Sequence, residues 1–234
     1  MFKKIILTLM TLLITLPYFL VLREGFGAFG YPGERIVYTI SPLGIAEFNN
    51  LGVVDLQGER VNLVTLKTQI FGFKDTERIY IDLSTLLPIR VERDVSGWVG
   101  KEYLTEEYDN KNFTLTVEKF KGNKKVGKYV FKKDSPIHNA VILPFYLRTV
   151  SDPEIGWSFT ANIPDKYEIK LVAIEEIKIP AGTFQAYHFT SMPNRFEIWI
   201  SKDEFRIPLK LQGMGGFGYT FIIKEHTLQQ RQGK

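Results

Sequence analysis

The chain has 234 residues, and its 30 Lys and Arg against 26 Asp and Glu give a formal net charge of only +4. That length suits one domain or two small ones, and so small a charge does not indicate a nucleic-acid partner. The absence of cysteine excludes disulfides, thiolate nucleophiles and cysteine-ligated metal sites. Phe, Trp and Tyr make up 14% of the chain, an enrichment that favours β-strands.

Residues 1–30 predict a signal peptide or a membrane anchor. Lys3 and Lys4 precede an apolar run over residues 5–22. A signal-peptide core has roughly 7–15 apolar residues and a spanning helix about 20, so the run fits a cleaved signal and an uncleaved N-terminal hydrophobic helix. Ala28 and Gly30 offer a cleavage site before Tyr31. Either alternative exports residues 31–234 across a membrane as a single domain.

From residue 33 onward, apolar and polar residues alternate in runs separated by turn-forming pairs. The run at 34–40 places Ile36, Tyr38 and Ile40 on one face. In the longest run, the apolar residues are spaced by two or four positions, which places them on one face of a regular strand: Tyr167, Ile169, Leu171, Ala173, Ile177 and Ile179. This period of two is typical of antiparallel strands with one buried face.

Only residues 138–150 look helical, and Pro144 limits that segment to a short or kinked helix. A sheet of so many strands must curl, because strands twist and open edges are a liability. We therefore predict an all-β domain: a curved antiparallel sheet or incomplete barrel of about ten strands, with one short helix.

Two stretches repeat a pattern of strand, acidic turn and proline. In one, Asp82 follows an apolar run and Pro88 opens the next; in the other, Asp203 and Pro208 do so. Aspartate favours turns by accepting hydrogen bonds from nearby backbone amides, and proline can open a strand where no ladder hydrogen bond is required. The stretches predict two similar hairpins, a weak internal repeat, and assign both aspartates to turns rather than to an acid–base pair.

Three segments carry a family resemblance: GERIVYTISPLGIA (33–46), IPAGTFQAYHF (179–189) and IWISKDEFRIPLKL (198–211). They resemble exported bacterial proteins of the domain of unknown function 3108, over most of residues 33–226. The strand–Asp–turn–Pro hairpin is also similar, more loosely, to one in periplasmic lipoprotein carriers, which have a curved sheet around a helix and an apolar concave face. The resemblance implies a β-rich envelope protein, in the periplasm or anchored facing it, and implies no reaction.

The sequence shows no recognisable catalytic constellation. His138, His188 and His226 are far apart and form no zinc-binding motif. Two glycine-rich matches, at 25–30 and 213–218, lack the strand–helix context of a dinucleotide site. Glu34 and Arg35 are expected to form structural ion pairs. We therefore expect a protein that is not an enzyme and that has no metal or cofactor.

Five lysines surround Gly122 and Asn123, namely Lys119, Lys121, Lys124, Lys125 and Lys128. This pattern predicts a solvated hairpin tip. The alternative is contact with anionic lipid headgroups, worth about 1 kcal/mol per lysine near a charged surface.

Aromatic residues cluster in the C-terminal half, namely Trp157, Phe159, Tyr187, Phe189 and Trp199. Such residues fill a core or line a concave pocket for a lipophilic ligand, whose mouth Phe145 and Tyr146 could plug.

Three functions follow from these observations. The first is non-enzymatic binding of a lipid or lipid-linked ligand in the concave sheet. The second is a scaffold module that meets a protein through a sheet edge. The third, an enzyme acting on envelope polymers, has least support because the His and Asp residues are scattered. A solvent-connected apolar cavity would favour the first, and a filled core with an exposed strand edge would favour the second.

Overall fold

The computed structural model describes residues 30–98, 100–214 and 218–228. These residues form fourteen strands and the short helix α1 (Leu143–Leu147). The strands are β1 (Glu34–Ser41), β2 (Gly44–Leu56), β3 (Glu59–Ile70), β4 (Phe73–Asp82), β5 (Pro88–Gly97), β6 (Gly100–Asp109), β7 (Thr114–Lys121), β8 (Lys124–Lys132), β9 (Ser158–Ile163), β10 (Asp165–Ile179), β11 (Gly182–Met192), β12 (Phe196–Ser201), β13 (Pro208–Gly213) and β14 (Thr220–Leu228). The apolar run at 5–22 lies outside the described residues, so the signal peptide and the anchor both stay predictions.

All strands belong to one antiparallel sheet in the order β8-β7-β6-β5-β4-β3-β2-β1-β14-β13-β12-β11-β10-β9. The sheet stays open, because β8 and β9 are its two outer strands and do not pair with each other. It is nevertheless curved, since Phe131 of β8 and Ile163 of β9 line the same cavity. The all-β class, the curved open sheet and the short helix at Pro144 are thus confirmed, and the sheet does not close into a barrel.

The strand number is fourteen rather than about ten, because several strands lack clean alternation. In β8, five of nine residues are charged or glycine, and most side chains are exposed. An outer strand has only one hydrogen-bonded neighbour, and lysines on it discourage pairing with other chains. The alternation expected of a half-buried strand is therefore weak there.

Most of the core lies on one face of the sheet, which is called the concave face below. Residues directly opposite one another on neighbouring strands share a face, and Phe189, Ile198, Leu211, Phe221 and Ile40 form such a row from β11 to β1. The α1 segment lies on this face. Its side chains at Leu143 and Leu147 belong to the apolar cluster of β9–β12, and its Phe145 ring stacks on Phe48 of β2, with ring centroids 3.9 Å apart.

The side chains of the longest strand, β10, do not alternate regularly between the two faces of the sheet. Its register against β11 shifts between Leu171 and Ala173, so Val172 is the extra residue of a β-bulge. Leu171 consequently packs in the cluster with α1, whereas Ile177 and Ile179 pack against the larger core cluster. The predicted single face for this run is wrong, because one inserted residue reverses the side-chain alternation.

The two hairpins predicted from the sequence are β4–β5 and β12–β13. Asp82 and Asp203 each accept hydrogen bonds from two following backbone amides, at 2.7–3.0 Å. Both hairpins also contain a register shift just before the turn, after which Pro88 and Pro208 open the second strand. The assignment of both aspartates to turns is confirmed.

Candidate ligand-binding cavity

A cavity of about 690 Å³ lies on the concave face, between the sheet and the segment that leads into α1. This volume falls within the roughly 300–1,000 Å³ of typical small-molecule sites. Its wall is mostly apolar and includes Ile40, Phe48, Leu66, Ile70, Phe73, Leu115, Val117, Phe131, Leu211 and Phe221. The wall is assembled mainly from the N-terminal eight strands, with β9, β13 and β14 completing it.

A polar patch interrupts the apolar wall on β4, β5 and β6. Arg93 lies directly opposite Glu77 in the sheet, and its Nε donates to Asp75 Oδ2 at 2.7 Å and lies 3.7 Å from Glu77 Oε1. On β6, the Tyr108 hydroxyl donates to Glu106 Oε2 at 2.5 Å. All five side chains line the cavity. Three carboxyl groups therefore share a single guanidinium, which leaves this part of the wall acidic.

Burial changes the protonation of the patch. It raises the pKa of Glu77 to about 7, and the neighbouring Asp75 and Glu106 carboxylates add to the rise although Arg93 opposes it. Burial and the Glu106 carboxylate likewise raise the pKa of Tyr108 well above its usual range. Asp75 is 4% exposed, and its Oδ1 has no hydrogen-bond partner among the described residues. Leaving such a group without a partner is costly in a purely structural core.

His138 lines the same cavity without forming an acid–base pair in it. Burial lowers its pKa to about 4, so the imidazole is neutral at pH 7. Its ring contacts Tyr146 and Phe159, each with centroids 5.7 Å away. No hydrogen bond joins it to a cavity carboxylate within the described part of the chain. The described residues that line this cavity thus include no assembled His–carboxylate pair.

The structure divides the seven aromatic residues predicted to line a pocket. Phe145 alone of the seven lines the cavity. Tyr187 and Phe189 belong to the buried cluster of β9–β12, and Trp157 and Phe159 pack against it, under α1. The Tyr146 ring lies 5.4 Å from that of Phe159. These residues share the concave face with the cavity, but α1 covers them, and their role in ligand binding stays a prediction.

Trp199 does not line the cavity; it belongs to the larger core cluster and also contacts polar side chains. It is directly opposite His188 and stacks on it, with ring centroids 4.2 Å apart, while Lys210 Nζ lies 4.1 Å from the indole centroid. The indole Nε1 donates to Glu175 Oε1 at 2.8 Å, which satisfies its donor. These contacts account for Trp199 structurally.

Sequence reasoning missed the N-terminal half of the wall, although β4 carries a usable signal. Asp75 and Glu77 have the parity of Ile79 and Ile81, which are fully buried. Charged residues on the core face of a strand are unusual unless they are paired or functional. A search for such residues would have found the patch.

The lysines of the β7–β8 hairpin are largely paired with glutamates. Lys119 and Lys121 lie 2.6 and 3.6 Å from Glu102, while Lys125 and Lys128 pair with Glu118. These pairs are partly exposed and add little stability. They agree with a solvated hairpin, and the contact of Lys119, Lys121, Lys124, Lys125 and Lys128 with lipid headgroups stays a prediction.

A buried ion cluster fastens α1 to the sheet. Arg148, just after α1, donates through Nη1 to Glu34 Oε2 at 2.8 Å and through Nη2 to the Phe205 carbonyl at 2.6 Å. His226 Nε2 lies 2.9 Å from Glu34 Oε1. Burial alone would raise the pKa of Glu34, but the hydrogen bond with His226 and the charge of Arg148 outweigh it and lower that pKa. With Arg35 paired to Glu47 at 2.7 Å, the predicted structural ion pairs are confirmed.

Neither a membrane helix nor a metal cluster is found in residues 30–98, 100–214 and 218–228. No helix there is long and apolar enough to cross a membrane, and no three His, Cys, Asp or Glu side chains are grouped to hold a metal ion.

Comparisons with known proteins identify the family alone. No curated protein and no solved structure matches the chain, so the looser similarity to lipoprotein carriers stays a prediction. The family model described as protein of unknown function (DUF3108) matches residues 52–223, which contain most of the cavity wall and both hairpins. The chain therefore belongs to the DUF3108 family.

Proposed function

We propose that this protein binds a hydrophobic ligand, a lipid or lipid-linked molecule, in the cavity on its concave face. The observation that carries the proposal is a mostly apolar cavity of about 690 Å³ in a domain whose C-terminal aromatic cluster is packed under α1. Burial of an acyl chain there contributes about 0.8 kcal/mol per CH₂. No bond is made or broken in this function.

The acidic patch suits the polar part of such a ligand. Asp75, Glu77 and Glu106 accept hydrogen bonds at one part of the wall, while Phe48, Phe131 and other apolar side chains contact the chain. A ligand with both parts is held in one orientation.

The proposed site of action is the bacterial cell envelope. The apolar run at 5–22 and its preceding lysines support export, with residues 31–234 in the periplasm or anchored facing it. The net charge of +4 gives no support to a nucleic-acid partner.

Native mass spectrometry of the full chain, purified from a bacterial envelope in mild detergent, tests the proposal. A stoichiometric lipid-sized adduct that is recovered by organic extraction is expected. Thr68→Trp should fill the cavity and abolish the adduct, since Thr68 lines it. Lys67→Trp is the matched control. Lys67 is the neighbour of Thr68 on β3, and its side chain is exposed and points to the opposite face of the sheet. A bare mass for the wild type after lipid is offered, or equal adducts in both variants, would contradict the proposal.

An exposed edge supports a second candidate, binding of a protein partner by strand addition. In the outer strand β8, Val126, Tyr129 and Val130 are 46%, 55% and 58% exposed. Unpaired backbone groups there could accept an added strand. Val130 itself does not line the cavity, and Val130→Pro should weaken such pairing, so loss of a captured partner with an unchanged lipid adduct would support this candidate.

A further inference from the structure

The topology gathers seven connections at one end of the sheet. Every neighbouring pair of strands is antiparallel, from β8 through β1 and β14 to β9, so all odd-numbered strands run in one direction. The connections that follow β1, β3, β5, β7, β9, β11 and β13 therefore lie at the same end, which we call the turn rim. β1 begins and β14 ends at the opposite end.

The turn rim carries most of the strongly exposed apolar side chains. Leu43, Phe71, Trp98 and Met192 are 74%, 79%, 82% and 66% exposed, each on a different connection or at its edge. Among the large apolar residues of the described chain, only Ile155 has comparable exposure elsewhere, at 64%. Successive hairpins thus direct apolar side chains into solvent at one end, where no core can use them.

Trp98 is held in place despite its exposure. Its ring meets that of Phe71 edge-on, with centroids 6.1 Å apart. A Cβ added to Gly72 (φ +73°) would overlap the indole, so this glycine both forms the turn and makes room for Trp98. Two neighbouring turns therefore present an ordered pair of exposed aromatic rings.

Basic side chains surround these apolar residues. Seven exposed cations lie in the rim turns or within two residues of them, namely Lys74, Lys101, Lys121, Lys124, Lys125, Lys166 and Arg195. In the same described positions one carboxylate is exposed, that of Asp165. Exposed aromatic and apolar residues ringed by lysines match the interface of an anionic bilayer, where tryptophan is favoured and lysines meet headgroups.

We propose that the turn rim docks on the surface of an anionic lipid bilayer, with Phe71 and Trp98 inserted at headgroup depth. The cavity reaches the same end, since Ile70, Phe73 and Tyr219 beside the rim turns line it. Docking would therefore bring the cavity next to lipid, but the inference stands on the rim residues and not on what the cavity holds. β1 begins at the opposite end of the sheet, so the turn rim is not the end at which the chain enters the domain.

Trp98 is a natural probe for this docking. The full chain is held in lipid discs without bromine, which accommodate its apolar N-terminal run. Vesicles that combine anionic phosphatidylglycerol with bromine-labelled phosphatidylcholine are then added, and tryptophan emission is recorded. The expected result is quenching of Trp98, lost in Trp98→Phe because Trp157 and Trp199 lie elsewhere. Phe71→Ser should weaken vesicle association roughly tenfold.

Leu83→Ser is the matched control, because Leu83 is 42% exposed at the opposite end of the sheet and its loss should leave quenching unchanged. Absence of quenching, equal quenching in Trp98→Phe, or equal quenching by vesicles of neutral lipid would each overturn the inference. The lipid adduct measured by native mass spectrometry is read separately. An adduct without quenching refutes docking alone, and quenching without an adduct refutes the cavity function alone.

Discussion

Replacing Arg148 with methionine should destabilise the protein by about 3–5 kcal/mol, because it leaves the Glu34 carboxylate buried without its cation. The Glu34 side chain is fully buried and that of Arg148 is 4% exposed, so water cannot replace the lost partner. Arg148 Nη2 also donates to the Phe205 carbonyl, and that bond is lost as well. At about 2–4 °C per kcal/mol for a chain of this size, the melting temperature should fall by roughly 6–20 °C.

Urea unfolding of the full chain in non-ionic detergent, followed by circular dichroism at pH 7, measures this loss. Arg35→Met is the matched control. Arg35 pairs with Glu47 and Glu225 at the surface, with a third of its side chain exposed, so its loss should cost under about 1 kcal/mol. Adding Glu34→Gln to Arg148→Met should recover part of the stability, because no buried charge then remains unpaired. If Arg148→Met is as mild as Arg35→Met, the buried cluster does not fasten α1 as argued.

Two further changes test the cavity wall and the bulge. The pKa of Glu77 is raised from 4.5 to about 7, so the native state binds more protons than the unfolded state, and the free energy of unfolding should fall as the pH rises from 4.5 to 7. Glu77→Gln should therefore be more stable than wild type by about 3 kcal/mol at pH 8 and equal to it near pH 4.5. Urea unfolding at both pH values measures the difference. Deleting Val172 removes the bulge but keeps Leu171 opposite Phe189 and Ile177 opposite Phe184, so every buried side chain stays on its face. The deletion variant should therefore still fold, and Val172→Ala, at a 39% exposed position, should change the urea midpoint little. A deletion variant that fails to fold would show that the bulge itself is required, and not only the pairing on either side of it.

Local patterns were sufficient for the elements whose partners lie nearby. The alternation of Ile36, Tyr38 and Ile40 correctly placed β1 with a buried face. Pro144 correctly limited the helix, and it occupies the first turn of α1, where its missing amide proton is not needed. The turn-forming residues Asp82 and Asp203 correctly predicted both hairpins.

Long-range features could not be read in this way. The bulge at Val172 leaves the sequence alternation intact and reveals itself only through pairing with β11. The cavity depends on β1 pairing with β14, some 190 residues away, and on which half of the concave face α1 covers. The aromatic residues of the C-terminal half therefore predicted a pocket in a region that α1 fills. The cavity instead lies over the less aromatic strands β2–β8.

The two ends of the sheet differ in a way that separates stability from ligand exchange. Glu34, Arg148 and His226 form a cluster that joins the first residue of β1 to the C-terminal part of β14. This cluster lies at the end of the sheet opposite the turn rim. The cavity reaches the rim end, where exposed apolar turns take the place of buried charge. A change at the cluster should therefore lower the unfolding free energy first, since it loosens the segment that holds Phe145 on Phe48. A change at Phe71 or Trp98 removes side chains that the core does not use, so it should alter contact with lipid and leave unfolding almost untouched.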